Sequence, residues 1–402
     1  MRKIYLLGAL SGALLATSCD NSKDVVEPED QVTQQQVVNH YAELVYATYV
    51  DAHSQAVTLK AKIDALIARP SETTLEAAKQ AWLAAREPYG QSEAFRFYGG
   101  PIDDEDGPEG QLNAWPLDES YIDYVDGSVN GGGENASVNI IGDEASFPTI
   151  DKALIASLNE DGGETNITAG YHALEFLLWG QDVSAGPGGG ERSYTDYETG
   201  LLCTNGHCDR RGDYLQAATE LLLDDLQMLL DQWQPGGAYR TAFTASDAVD
   251  SSLEKMLIGM GKLSKGELAG ERMFVAWDEK SKEDEHSCFS DNTHRDIVTN
   301  EKGIVNVYTG RYVWSDGTVL EGPSLAQLVQ QDDSDLHESL MSTMNAAMTA
   351  TQAIQPPFDQ EILTEAGRVR VKNAIDLLRE QGDKIAEVSA LYGFALDPSD
   401  LE

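Results

Sequence analysis

Positive charge is scarce in this 402-residue chain: 28 Lys and Arg face 68 Asp and Glu, a formal net charge of −40. Such a surface repels phosphate backbones and anionic headgroups, which excludes nucleic acid as a partner and biases the chain toward cations. No apolar run reaches the roughly 20 residues needed to span a bilayer. The Gly-x-Ser-x-Gly elbow, the phosphate loop, the dinucleotide fingerprint and the Cys-x-x-Cys-His haem attachment are all missing, so ordinary hydrolase and nucleotide chemistries have no foothold. Clear period-two strands are few. What is present, 41% apolar and 8% aromatic residues, is enough to bury sizeable cores in two packed domains.

The N-terminus reads as an export signal. Arg2 and Lys3 precede the apolar stretch Ile4 to Leu15, and Ala16-Thr17-Ser18-Cys19 follows as a small-residue cleavage box ending in Cys. The expectation is a lipoprotein: residues 1–18 are removed, Cys19 is lipidated, and 19–36 form a polar tether. Cleavage before Ser18 or Cys19 by an ordinary signal peptidase is the alternative. Either way the chain faces the periplasm of a bacterial envelope, and its membrane contact is through lipid alone. In that oxidising compartment Cys203 and Cys208 can close a short loop as a disulfide, leaving Cys288 unpaired.

Apolar spacing of three and four predicts helices over 36–69, ending at Pro70, and over 71–87, capped by Thr73 or Thr74 and broken by Pro88. Helical spacing returns at 150–158, 168–179, 212–233, 244–263, 267–282, 294–307, 324–331, 335–354 and 359–395. Between 99 and 146 Gly, Pro, Asp and Asn predominate, a long insertion of the kind that serves function. The fold class expected is all-α, two side-by-side helical bundles over 37–234 and 238–402 with long Gly-rich insertion loops, Pro235-Gly236-Gly237 marking the boundary. A weak internal repeat sets Glu93 opposite Glu285.

Three clusters could carry chemistry. In Gly170-Tyr171-His172-Ala173-Leu174-Glu175, His172 and Glu175 stand one turn apart on one helix face and can converge on a cation, with Asn166 or Thr168 as cap. A catalytic zinc needs a third protein ligand from elsewhere. A buried His bonded to Glu in a helix interface is the bland alternative. The second cluster, Glu283 to Asp296, contains Glu285, His286, Asp291 and His294. On a straight helix the two imidazoles would lie about 12 Å apart, but a break at Ser290-Asp291-Asn292, with Asp291 capping the next helix, could bring them together. The third cluster (Arg86, Glu93, Arg96, Asp103, Trp115 and Asp118) suits the wall of a polar pocket.

On GQSEAFRFYGGPID, NAWPLDESYIDYV, the Gly-x-His-x-x-Glu motif and EDEHSCFSDNTHRDI, the sequence resembles the imelysin-like family of bacterial envelope proteins, classed with peptidases and including iron-regulated lipoproteins. The resemblance runs from about Val37 to about Leu396. It implies a ligand or metal pocket near the meeting of two bundles and a link to iron acquisition. The metal would be iron or zinc, drawn from His172, Glu175, His286, Asp291 and His294, and Arg86, Arg96, Asp103, Trp115 and Asp118 would contact a bound iron-bearing ligand. As a zinc peptidase, the chain would use Glu175 with Glu93 or Glu285 as base. As a non-catalytic protein, it would grip an envelope partner in the same pocket.

Overall fold

The computed structural model describes residues 31–126, 138–184 and 186–401. The export signal, Cys19 and most of the expected tether lie outside them. Among the described residues eight α-helices reach ten residues or more: α1 (Gln34–Ala68), α2 (Glu72–Ser92), α3 (Gly170–Trp179), α4 (Cys208–Trp233), α5 (Val249–Lys262), α6 (Thr293–Thr309), α7 (Ser334–Ala353) and α8 (Glu365–Leu391). Between α5 and the short helix Val275–Glu279, residues Leu263–Phe274 wind as a π-helix. The only strands described, β1 (Arg311–Val313) and β2 (Val319–Glu321), form one antiparallel hairpin with Tyr312 opposite Leu320. No described helix is long and apolar enough to cross a membrane.

The all-α architecture follows the hydrophobic periodicity closely. Helix α1 starts from a reciprocal cap in which Thr33 and Gln36 bond each other's backbone, so the final residues of the expected tether are already helical. The cap of α2 is Ser71, whose hydroxyl accepts the Thr74 N–H, and not Thr73 or Thr74. Pro88 does not break α2, which continues to Ser92 and ends in a 3₁₀ turn, Glu93–Phe95. The continuation is held by close helix contact: a Cβ on Gly90 would meet Thr299 Oγ1 at 2.1 Å, and one on Gly303 would meet the Gln91 carbonyl at 2.3 Å. With backbones this near, α6 buries the turn that Pro88 would otherwise weaken.

Helices α1, α2, α3 and α4 pack as one bundle, and α5, the π-helical stretch, α7 and α8 as a second. Helix α6 lies against α2 of the first and against α7 and the π-helix of the second. The main hydrophobic core takes residues from both, from Val37 to Val388, while a smaller core gathers Leu268, Met273, Phe358, Val371 and Leu378. Cys203 and Cys208 are joined by a disulfide. Cys288 is buried and makes none among the described residues.

Candidate metal and ligand centre

Helix α3 is buried along its whole length. Its first residue, Gly170, has φ 79° and a Cβ there would stand 2.5 Å from the carbonyls of Gln111 and Leu112; only glycine fits both conditions. Neither Asn166 nor Thr168 caps the helix through its side chain. The N-cap is Ala169, and the preceding backbone is tied instead by Asn159 Oδ1, which accepts from Thr168 N at 2.9 Å, and by the Tyr214 hydroxyl, which donates to Thr168 O at 2.8 Å. Trp82 Nε1 donates to the Tyr171 carbonyl at 2.9 Å. These contacts fix the rotation of α3 and so the direction of His172.

His172 and Glu175 meet, as their spacing requires, but through the rear of the imidazole: Glu175 Oε2 lies 2.9 Å from His172 Nδ1. Glu175 Oε1 accepts from both the amide and the hydroxyl of Ser290, at 2.9 and 2.7 Å. Both side chains are fully buried. Burial pushes the Glu175 carboxyl up to about 8 against the Ser290 bonds. Burial, with His286 and Arg86 nearby, pushes His172 well below its ordinary value. Among the described residues His172 Nε2 has no hydrogen-bond partner.

The second imidazole is His286, whose ring stands edge-to-face on that of His172 with centroids 4.6 Å apart. Its protonation pattern is set by neighbours. Asn113 Oδ1 accepts from Arg86 Nη1 at 2.5 Å and Asn113 Nδ2 donates to Glu93 Oε1 at 2.8 Å. The amide is thereby oriented, and its nitrogen faces His286 Nε2 at 3.4 Å. His286 Nε2 must therefore be the unprotonated acceptor, and Nδ1–H donates to Asp296 Oδ2 at 3.0 Å. Burial and the Arg272 charge push His286 down to about 4. Both imidazoles are neutral at neutral pH; His286 has the ionised Asp296 at Nδ1, the support that metal-binding histidines commonly receive, whereas His172 has the Glu175 carboxyl, which burial keeps protonated at neutral pH.

Charge around the pair is balanced by buried ions. Burial works against ionisation of Asp296, but Arg86 and the bonds from His286 and Ser287 hold it well below the usual carboxylate range. Glu93 is held at about 2: Arg272 and Arg96, at 3.0 and 2.6 Å, outweigh its burial. A carboxylate so committed is a counter-ion, so Glu93 does not fit the role of base. Glu285 is fully buried and pushed well above its ordinary value by burial and the charge of Asp359, which disfavours the ionised form that a base needs.

Of the remaining expected residues, His294 is half-buried on the first turn of α6, its Nδ1 3.2 Å from the Asp291 carbonyl, and no bond or ring contact joins it to His286. The break after Ser290 is real, but it sends His286 inward and His294 elsewhere. Asp291 does not cap α6. It adopts φ 56° and accepts the Gly188 N–H at 2.9 Å. Among the described residues no three His, Cys, Asp or Glu side chains are grouped to hold an ion, so the five expected ligands do not form one donor set. Imidazole nitrogens are donors that transition metals take, and a metal held by His172 and His286 would draw its further donors from water or from its own ligands.

A cavity of about 490 Å³ opens onto His286, Asn113 and Trp115. Trp115 is half-buried, with its ring 5.1 Å from His172, and Arg96 also lines the cavity. Arg86, Asp103 and Asp118 do not line it. Arg86 is interior, bound to Asp296 and Asn113. Asp103 accepts the backbone N–H groups of Phe97 and Gly100 at 2.5 and 2.8 Å, and Asp118 caps the turn at Ser120. Sequence reasoning missed Asp296, Arg272 and Ser290 as site residues. Asp296 and Ser290 lay within the His286 cluster, whereas Arg272 had no local signal.

The fold and the centre define a helical protein with two contacting imidazoles, one from each half of the chain and each bonded at Nδ1 to an acidic side chain, beside an acidic cavity. The chain belongs to the imelysin family, whose model, designated a peptidase family, matches residues 45–385. It is 24% identical over 377 residues to iron-regulated protein A of Synechococcus elongatus, covering 92% of this chain and 87% of that protein. A crystal structure from Parabacteroides distasonis, of a protein provisionally described as an iron-regulated protein A precursor, shares the fold. Its TM-score is 0.69 at 22% identity, with 91% of this chain and 97% of that one covered.

Proposed function

We propose that this chain is an iron-handling protein of the bacterial envelope, tethered by lipid at Cys19, whose two halves contribute His172 and His286 to bind a transition-metal ion or an iron-bearing ligand. The observation that carries the reading is the His172 Nε2 atom, buried without a partner among the described residues, in a ring packed edge-to-face with a second imidazole whose own Nε2 is an acceptor. A buried, unpaired polar atom costs stability unless something occupies it. The export signal and the name of the Synechococcus relative support an iron role.

The peptidase designation of the family calls for a third donor and a base. The commitment of Glu93 to two arginines and the burial that disfavours ionisation of Glu285 argue against those two as bases, so binding is the better-supported activity. The test is calorimetric titration of metal-free protein with Co²⁺ or Fe²⁺. Wild type should bind one ion, and His172→Ala with His286→Ala should abolish binding while circular dichroism shows the helices retained. Unchanged affinity in a folded double variant would reject the site.

A further inference from the structure

The cavity wall says what kind of complex reaches the imidazoles. Two guanidinium groups line it, and both are spent: Arg96 on Glu93 and Glu109, Arg272 on Glu93 and Glu267. Five further carboxylates (Glu160, Glu164, Glu271, Glu283 and Asp284) also line it, and no ion pair is found for any of them among the described residues. These five come from two separate stretches of chain, 160–164 and 271–284, and converge on one opening that His286 also lines. Acidic clusters alone are common on a chain this acidic. This one surrounds an imidazole acceptor, and behind that acceptor the His172 nitrogen is buried without a partner.

Resting on the metal-binding reading, we propose that the metal enters this cavity as a cation, either the aqua ion or a positively charged chelate with two exchangeable positions for His172 and His286. Complexes that carry net negative charge are turned away. Low-dielectric walls lined by one sign of charge concentrate counter-ions and exclude co-ions. Iron held by polycarboxylates or catecholates, and a porphyrin entering propionates first, would each bring anionic oxygens against unpaired carboxylates. An iron carrier of that kind would have to release its metal before the site could take it.

The experiment uses two nickel complexes that each leave two adjacent positions open: the anionic nitrilotriacetate complex and the cationic complex of a tripodal tetraamine. Titrated into the full-length mature protein, the cationic complex should bind more tightly by roughly tenfold or more at low salt, and the gap should narrow as salt is raised. It should also narrow in the variant Glu160→Gln, Glu164→Gln, Asp284→Asn. Equal binding, or tighter binding of the anionic complex, overturns the charge inference while leaving the imidazole site standing. If neither complex binds, or if binding survives His172→Ala with His286→Ala, the underlying site is wrong and the inference falls with it. The salt series on wild type keeps the test intact should the triple variant fold poorly.

Discussion

The most informative single substitution is Asp296→Asn, because it changes one charge and one donor pattern without changing shape. Asp296 Oδ1 accepts from Arg86 Nε and Nη2 at 3.3 and 3.1 Å, and Oδ2 from His286 Nδ1 and the Ser287 hydroxyl at 3.0 and 2.5 Å. Arg86 and Asp296 are each 1% exposed. With Asn at 296 the guanidinium keeps Asn113 but loses its directly bonded counter-ion. Breaking one partner of such a buried pair costs about 3–5 kcal/mol. Spread over a folded unit of roughly 370 residues, that is a fall in Tm of about 4–6 °C. Adding Arg86→Met removes the stranded cation, and the double variant should recover most of the loss.

The same substitution reaches the imidazole. An amide has one acceptor oxygen where Arg86 and His286 each need one. With that oxygen turned to Arg86, the amide nitrogen faces His286 Nδ1 and forces the proton onto Nε2, removing the lone pair from the cavity. Metal affinity should fall by about 10- to 100-fold, the usual effect of losing such a support. Calorimetry reads the affinity, a thermal melt reads Tm, and ¹⁵N NMR reads the tautomer. The folded carboxyl is held below its unfolded value of about 3.9, so its contribution is complete above that value and fades as pH falls below it. The gap between wild type and variant should therefore close in acid. A melt within about 1 °C of wild type at neutral pH, with affinity unchanged, would refute the account of both Arg86 and His286.

Glu175→Gln tests the opposite titration. The folded carboxyl is raised to about 8, so between the unfolded value of about 4.3 and that point the native state holds the extra proton and wild type loses stability as pH rises. Urea melts from pH 5 to 8 should show the variant gaining on wild type, and parallel curves would contradict the neutral carboxyl. Gly170→Ala should cost at least 2 kcal/mol, since the new Cβ is both strained and in collision with two carbonyls; a melt like that of wild type would show that α3 can shift. Removing the disulfide with Cys203→Ser and Cys208→Ser should cost about 2 kcal/mol by loop-closure entropy. Metal affinity should be retained, and a variant that folds but binds nothing would show that the loop shapes the site.

Periodicity reads helices well where one face is buried, which is why α1, α4, α6 and α7 lie close to their expected bounds. It fails where a tertiary contact outweighs a local rule. Pro88 should end α2 by its missing N–H, yet the close approach of α6 at Gly90 and Gly303 carries the helix through. The 3.6-residue pattern also cannot register a π-helix, so the placing of Arg272 against Glu93 and Asn300 was invisible. The His172–Glu175 pair was legible from its spacing of three. The role of Glu175 was not, because that spacing brings its carboxyl to His172 Nδ1 while Ser290 holds its other oxygen, so it is a hydrogen-bond partner of the imidazole and not a free donor. In the repeat, Glu93 and Glu285 are both buried, but one is an ion held by two arginines and the other a carboxyl whose ionisation burial disfavours. Sequence similarity carries no information about such partners.

On the metal-binding reading, the arginines and carboxylates around the centre keep the imidazoles neutral before anything binds. An unshielded histidine near pH 7 is partly protonated and must lose that proton to accept a metal. Burial together with Arg86 and Arg272 removes the competing proton, pushing His286 to about 4 and His172 lower than its ordinary value. Those two cations alone would also repel a metal. Asp296 and Glu93, each kept ionised by the arginine it faces, offset that repulsion at the distance of one side chain, while the unpaired carboxylates of the cavity act from farther out. The design separates two demands that a histidine alone cannot meet: it suppresses the proton locally and attracts the larger charge from outside. Neutralising Arg272, the charge that most depresses His286, with Arg272→Met should then raise the His286 pKa, so that metal affinity becomes pH-dependent between about pH 5 and 7; a flat profile in that variant would show that burial alone keeps the imidazoles unprotonated.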